Sequence, residues 1–346
     1  MEENLHIKKL KITEVIIETS DAKTLVLEPL EGWTPSYHAG QFITLVFYTK
    51  HGEKRRSYSI SSSPELGEAL SITIKKVNNG EFSRLLVHYA KVGDILYTSG
   101  INGLFQLPEN LTKTPKYFFI AAGSGITPCF SLIKTVLKTT KSKVILIYSN
   151  KSEEDTIFYE QLKNLQSHYS DRFTIRFLFS SIFSVYQRRL SKWLLDKFLD
   201  EYLLPEENKA LFYVCGPFEY MQTVTITLMM RVSALQIFKE NFSTFPRLVT
   251  LRPPDTAQHT VTIRFHGRVY PIKVQYPLSI LAAAKAKNIG LPYSCEAGRC
   301  GSCVATCTSG KVWMAYNEVL TDEEVKKGRV LVCQGYPIEG DAEVKF

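Results

Sequence analysis

Four cysteines near the C-terminus constrain this chain more than any other feature. Cys295, Cys300 and Cys303 stand in YSCEAGRCGSC, and Cys333 follows in VLVCQG after 29 intervening residues. The spacing C-x4-C-x2-C…C is that of a loop wrapping a [2Fe–2S] cluster, with soft thiolates holding two irons, two per iron. The loop is short, so backbone amides must approach the sulfides, and the fold must return a distant fourth thiol to it. Gly298, Gly301 and Ser302 suit the close approach, because glycine permits unusual backbone paths. Zinc and disulfides are the competing readings. Zinc ribbons usually pair two C-x2-C hooks, and here there is one. Disulfides need an oxidising compartment, and MEENLHIKKLKITEV lacks the apolar stretch of a secretion signal. Cys307 falls at no ligand position and is expected to be a small buried residue.

A cluster of this kind moves one electron at a time, so the rest of the chain must supply and remove electrons. With 346 residues there is room for two or three domains. A hydrophobic content of 45% is that of an ordinary globular protein, and no apolar run reaches the length of a membrane span, so no integral membrane segment is expected. The formal charge of +8 is spread thinly. Without a clustered basic face, nucleic acid is not an expected partner. A mild positive surface suits an acidic redox partner or an anionic cofactor. Seven cysteines, four of them committed to metal, fit a reducing cytoplasm.

The pattern divides the chain. Residues 1–108 read as short alternating strands (LKITEVIIET, KTLVLEP, QFITLVFYT, RRSYSISS, LSITIKKV, DILYTSG), interrupted by one helix at EFSRLLVHYA. That predicts an antiparallel β-barrel or sandwich. Over 109–245, apolar runs YFFIAAG, KVILIYSN, FTIRFLFS and ALFYVCG alternate with helical stretches, which predicts a parallel sheet covered on both faces. Residues 246–258 read as a linker, and 259–346 as a small α/β unit carrying the cluster.

Two further motifs carry chemistry. Arg56-Ser57-Tyr58-Ser59 precedes Gly80-Glu81-Phe82-Ser83, at the start of the predicted helix. An arginine and a helix N-terminus are tools for binding a pyrophosphate, and a tyrosine between them can stack on a flat ring. Alone, the tetrapeptide is also what an ordinary strand end with a satisfied arginine would show. In the second segment, YFFIAA runs into Gly123-Ser124-Gly125-Ile126-Thr127-Pro128, a tight strand-to-helix turn with proline in the first helical turn. Proline stands where the dinucleotide fingerprint has its last glycine, so a plain structural turn is equally compatible. Cys215-Gly216-Pro217 ends another strand of the same sheet, and ligands bind such sheets at their carboxyl ends.

With these motifs in this order, the chain resembles the ferredoxin–NADP reductase family fused to a plant-type ferredoxin. It is similar to the reductase components of multicomponent oxygenases, that of phenylacetyl-CoA epoxidase among them. The likeness extends to Gly40-Gln41-Phe42 and to NEVLTDEEVKKGRVLVCQGYP around the last cysteine. It implies a flavin-binding β-barrel, an NAD(P)-binding α/β domain and a small α+β ferredoxin (β-grasp) domain. Arg56 would bind the flavin pyrophosphate, with Ser57 beside it. Tyr58 would stack on the isoalloxazine, and Ser59 would hydrogen-bond near N5. Thr73, Ile74 and Lys75 would border the flavin, and Gly80, Phe82 and Ser83 would complete the pyrophosphate site. Gly123, Gly125, Thr127 and Pro128 would hold the nicotinamide nucleotide. Cys215 would sit where hydride crosses, shaped by Gly216 and Pro217, or simply be a small buried thiol. Ser61-Ser62-Ser63-Pro64 looks more like the FAD branch of the family than the FMN branch. The arginine that NADPH-preferring relatives often place after the FTIRFLFS strand is missing. Arg188 and Arg189 could take its place, so NADPH and NADH both stand.

The resemblance implies a route from NAD(P)H through FAD and the cluster to an external oxygenase, hydroxylase or desaturase, with the cysteine loop as exit port. Residues 259–346 carry 11 Lys and Arg against 8 Asp and Glu, a formal +3, so an acceptor with a negative surface is expected. The electron-transfer subunit of dihydroorotate dehydrogenase groups its cluster cysteines more closely, which the 29 residues before Cys333 do not match. A stand-alone reductase of small oxidants is an alternative, and a redox-sensing module without turnover is another that the intact Arg56–Ser59 and Cys215–Pro217 elements disfavour.

Overall fold

The computed structural model describes residues 7–50, 52–110, 115–181, 189–203, 209–242 and 251–346. The first unit contains β1 (Lys8–Thr19), β2 (Ala22–Pro29), β3 (Phe42–Thr49), β4 (Gly52–Ser59), β5 (Ser71–Lys75), α1 (Glu81–Tyr89) and β6 (Ile95–Asn102). They form one sheet in the order β4-β3-β6-β1-β2-β5, every pairing antiparallel. Its two edge strands approach each other at the Ile60–Ile72 bridge, which closes the sheet toward a barrel. Leu10, Ile12, Leu25, Ile43, Leu45 and Ile72 fill the interior. All six strands and the helix expected from the sequence are present.

The second unit runs β7 (Lys116–Ala122), α2 (Ile126–Thr139), β8 (Lys143–Asn150), α3 (Tyr159–His168), β9 (Phe173–Phe179), α4 (Lys192–Tyr202), β10 (Leu211–Cys215), α5 (Phe218–Met229) and β11 (Ile237–Glu240). Its sheet is wholly parallel, in the order β11-β10-β7-β8-β9. Every residue of β7 is buried, because alternate side chains enter two cores. Phe119 packs with Ile133 and Leu162 on one side, and Phe118 with Leu195 and Val224 on the other. Helix α4 and the short β11 were not anticipated. Ser191 caps α4, its hydroxyl accepting from the Leu194 amide at 3.2 Å.

The third unit contains β12 (His259–Phe265), β13 (Arg268–Val274), α6 (Ile280–Ala286), β14 (Val304–Met314), α7 (Asp322–Lys326), β15 (Arg329–Leu331) and β16 (Gly335–Lys345). Its mixed sheet has the order β13-β12-β16-β14-β15, with β12 and β16 parallel. Ile280, Leu281 and Ala284 of α6 pack on Val261, Ile263 and Val344, giving the small α+β unit expected. Of the predicted linker, residues 246–250 lie outside the described residues, and 251–258 are irregular. Asp255 fastens this segment to the last unit by accepting from the Glu339 amide at 2.9 Å. Among the described residues, no helix is long and apolar enough to cross a membrane.

Candidate cofactor sites

Strand β4 carries the Arg56–Ser59 motif and uses both of its faces, as strand geometry allows. On one face, the guanidinium of Arg56 lies 5.3 Å from the ring centroid of Phe82, and Tyr58 packs against the barrel core. Phe82 is itself stacked on Phe47 at 4.0 Å. Arg56 donates to the Arg55 carbonyl at 2.7 Å and has no carboxylate partner among the described residues. Arg55, next in line, is paired with Glu53 at 2.6 Å. Of the two neighbours, Arg56 is therefore the cation left for an anionic ligand, and it stands beside the start of α1. There a Cβ on Gly80 would lie 2.4 Å from the Ser83 hydroxyl, which caps the turn by accepting from the Val77 amide at 3.2 Å. Charge, free amides and a tight glycine turn fit a pyrophosphate.

Thr73, Ile74 and Lys75 lie on β5, which packs beside α1 and β4. The Thr73 hydroxyl is 2.7 Å from that of Thr24 and donates to Ser61 at 3.0 Å. Lys75 is 3.6 Å from Asp21, and Ile74 is buried in the barrel. These side chains are engaged within the barrel, leaving the β5 backbone for any flavin contact.

At the carboxyl ends of β7 and β10 the chain leaves no room for side chains. A Cβ on Gly125 would fall 2.1 Å from the Cys215 carbonyl oxygen, and one on Gly216 would come within 3.1 Å of Ala122 Cβ. Gly123 takes φ +54°, and its carbonyl accepts from the Tyr148 phenol at 3.0 Å. The turn and the Cys215-Gly216-Pro217 loop are thus packed backbone to backbone. Pro128 sits in the first turn of α2, as expected. Thr127 is buried, yet its hydroxyl has no partner among the described residues. An orphaned buried donor is costly, so it fits a site whose ligand supplies the missing bond. Cys215 is fully buried, and burial first, then the carboxyl of Glu240, pushes its thiol well above the ordinary range. Its thiol is therefore held in the neutral, unreactive form.

The sequence reasoning missed Glu240, the last residue of β11. Ser59 Oγ donates to Glu240 Oε2 at 2.9 Å, tying the flavin-motif strand to the nucleotide unit. Burial pushes this carboxyl up to about 8, although the Ser59 bond acts in the opposite direction. Its only sequence signal was an acid two residues after the apolar pair Ile237-Phe238.

The four cysteines converge as two pairs. Cys295 and Cys300 hydrogen-bond each other, and so do Cys303 and Cys333. Among the described residues, no three His, Cys, Asp or Glu side chains close on a single ion. Paired thiols are the donor set for two irons, not the cage of one zinc. The Ala297 amide donates to Cys295 Sγ at 3.4 Å, and those of Arg299 and Cys300 point to it as well. The Cys300 bond, with these amides, pulls the Cys295 thiol down to about 6 against the effect of burial. Gly298 and Gly301 both take φ +72°, and a Cβ on Gly298 would lie 2.8 Å from the Tyr316 carbonyl. All seven cysteines are free thiols. Cys307 is only half-buried, not buried as expected, because it lies beside the β14 bulge and donates to the Ser309 carbonyl at 3.3 Å.

The cysteine loop faces the barrel. Ser57 Oγ donates to Ser294 Oγ, beside Cys295, at 2.7 Å, and Leu104 reaches to 3.5 Å from a Cβ built on Gly301. The loop expected to be an exit port is thus the face docked on the flavin strand, because joining the two units in one chain gives that face an intramolecular partner. Of the arginine pair considered for nucleotide choice, Arg189 is exposed and Arg188 lies outside the described residues.

These three sites define a flavoprotein reductase carrying an iron–sulfur domain, and comparison with known proteins agrees. An oxidoreductase FAD-binding domain matches residues 9–107, an oxidoreductase NAD-binding domain 119–225, and a 2Fe-2S iron-sulfur cluster binding domain 265–337. The ferredoxin reductase component of 3-ketosteroid-9-alpha-monooxygenase from Mycobacterium tuberculosis is 31% identical, covering 99% of this chain and 96% of its own. One of the subunits of 1,2-phenylacetyl-CoA epoxidase from Escherichia coli is also 31% identical, with 97% of each chain covered. Phthalate dioxygenase reductase shares the fold, with a TM-score of 0.59 at 23% identity over 98% of each chain. The chain belongs to the family of ferredoxin-reductase-type electron-transfer components of oxygenase systems.

Proposed function

We propose that the protein carries electrons from NADPH or NADH, through FAD and a [2Fe–2S] cluster, to a separate terminal oxygenase, hydroxylase or desaturase. The single observation that carries this reading is that β4 is hydrogen-bonded in two directions. Ser59 reaches Glu240 of the nucleotide unit at 2.9 Å, and Ser57 reaches Ser294 of the cysteine loop at 2.7 Å. The relatives named above, which belong to a monooxygenase and an epoxidase, support the same acceptor class.

Bound at these sites, the flavin would accept a hydride's two electrons and release them singly to the cluster. The residues' part is to hold and orient. Arg56, with the amides opening α1 at Gly80, Phe82 and Ser83, would anchor the pyrophosphate. Tyr58 would cover the isoalloxazine, and Ser59, oriented by Glu240, would present its hydroxyl to the flavin edge. Thr73, Ile74 and Lys75 would border the ring with their backbone. Gly123, Gly125, Thr127 and Pro128 would seat the nicotinamide nucleotide, with Cys215, Gly216 and Pro217 walling it. Cys295, Cys300, Cys303 and Cys333 would ligate the cluster. The division into 1–108, 109–245, a linker over 246–258 and 259–346 follows these roles. Free thiols throughout fit a reducing, cytoplasmic setting.

Anaerobic addition of NADPH, and separately of NADH, is expected to give a rhombic [2Fe–2S] EPR signal, and the better donor names the nucleotide. Silence with both, in protein shown to hold iron and flavin, would sink the reading in favour of a module without turnover. With a terminal oxygenase as acceptor, turnover is expected to fall as salt rises from low to physiological ionic strength. A salt-independent rate would remove the negatively charged docking face from the proposal.

A further inference from the structure

The junction between β4 and the cysteine loop contains a second set of contacts, made by residues that bind no cofactor in the reading above. Side chains 53, 55 and 57 of β4 point away from the Arg56 face. The Arg55 guanidinium lies over the ring of Tyr293, 3.9 Å from its centroid, and the Tyr293 phenol donates to Glu53 at 3.3 Å. Glu53 in turn accepts from Arg55 at 2.6 Å, closing a three-residue ring of contacts across the junction. Lys285 Nζ stands 4.3 Å from the same aromatic centroid and is held by Glu296 at 2.9 Å. Tyr293 is two residues before Cys295, and Arg55 is one before Arg56. The barrel does not need an arginine here, because its own core is complete without position 55. Even so, the Arg55 side chain is only 9% exposed, covered by the docked unit.

We propose that Arg55 and Tyr293 form a clasp that positions the cysteine loop on the flavin strand and so sets the rate of flavin-to-cluster electron transfer. They are positioning residues, one step removed from the groups that hold the cofactors. A cation over an aromatic face is directional and strengthens when shielded from water, so it fixes both the distance and the tilt of the loop. The Ser57–Ser294 bond lies beside the clasp and depends on the alignment it imposes. The inference rests on the internal electron path and is independent of which acceptor follows.

The test uses the full-length holoprotein with Arg55→Ala, Tyr293→Ala, Tyr293→Phe and the double alanine variant. Anaerobic stopped flow with the nicotinamide donor reads flavin bleaching and cluster reduction separately. Hydrogen exchange of the oxidised protein, with no donor present, reads protection of residues 291–297. The alanine variants are expected to slow cluster reduction about tenfold or more, while flavin bleaching stays within about twofold. Exchange at 291–297 should quicken. Tyr293→Phe keeps the ring and should stay near the unaltered rate, and the double variant should be no slower than the slower single one. If Arg55→Ala loses flavin, Tyr293→Ala, which leaves β4 intact, decides. Unchanged cluster reduction in Tyr293→Ala, unchanged exchange, or additive effects in the double variant would overturn the clasp. Cluster reduction in the unaltered protein tests the electron path itself, and its ratio to the variants tests the clasp.

Discussion

The two junctions that meet on β4 are built differently. Toward the nucleotide unit the contact is buried: Ser59 of the strand is bonded to the buried carboxyl of Glu240. Toward the cysteine loop it is polar and only partly buried, made of a serine pair and a covered cation over a ring. Hydride transfer needs reacting atoms nearly in contact, so its frame must be rigid to a fraction of an ångström. A cluster wrapped by its own loop accepts electrons without touching the donor ring, so its frame can be a surface contact. One strand thus serves two tolerances, with the stricter one on the buried side.

The largest separation of the two junctions should come from Cys333→Ser. It breaks the Cys303–Cys333 pair, leaving one iron position with a single thiol. Iron content and the EPR signal should vanish, and cytochrome c reduction should fall about hundredfold or more, while donor-driven flavin bleaching is retained. If cytochrome c reduction persists at the original rate, electrons leave from the flavin and the cluster is not on the path. Gly125→Ala attacks the nucleotide unit itself, on the far side of the other junction. Its Cβ would stand 2.1 Å from the Cys215 carbonyl oxygen, so the turn or β10 must move. Overpacking of this kind costs about 1–3 kcal/mol, and the displaced nicotinamide pocket should slow flavin bleaching about hundredfold. Chemical reduction of the cluster by dithionite should be untouched. Normal bleaching in this variant would mean that the crevice does not position the nicotinamide.

The same contrast explains what was legible in the sequence. The convergence of the four cysteines was, because iron–sulfur ligation would fix their spacing within one short loop and one return strand. The strands of the barrel and the parallel sheet were, because apolar alternation and apolar runs report burial directly. Arg56 was distinguished from Arg55 only by its place in the motif; the structural reason, a carboxylate on Arg55 and none on Arg56, needs the fold. Glu240 was hidden because β11 is four residues long and its partner Ser59 lies 181 residues earlier. Tyr293 and Glu53 were hidden for the same reason, at a separation of 240 residues. Contacts between units leave no period in a sequence.

Glu240 offers the finest test of the buried junction. Burial raises its carboxyl from 4.5 to about 8, so the folded state keeps a proton that the unfolded chain releases. Below pH 4.5 both states hold the proton, and the stabilisation it brings is fully present. As pH rises toward 8 that contribution is lost, because the unfolded state ionises freely and the buried site does not. Glu240→Gln keeps an acceptor for Ser59 but cannot titrate. Its melting temperature should therefore match that of the unaltered protein near pH 4.5 and exceed it progressively up to about pH 8. The gap should be roughly 2–4 °C for each kcal/mol. A constant difference across this range would mean that Glu240 is ionised when folded and that the Ser59 contact is not a dry one.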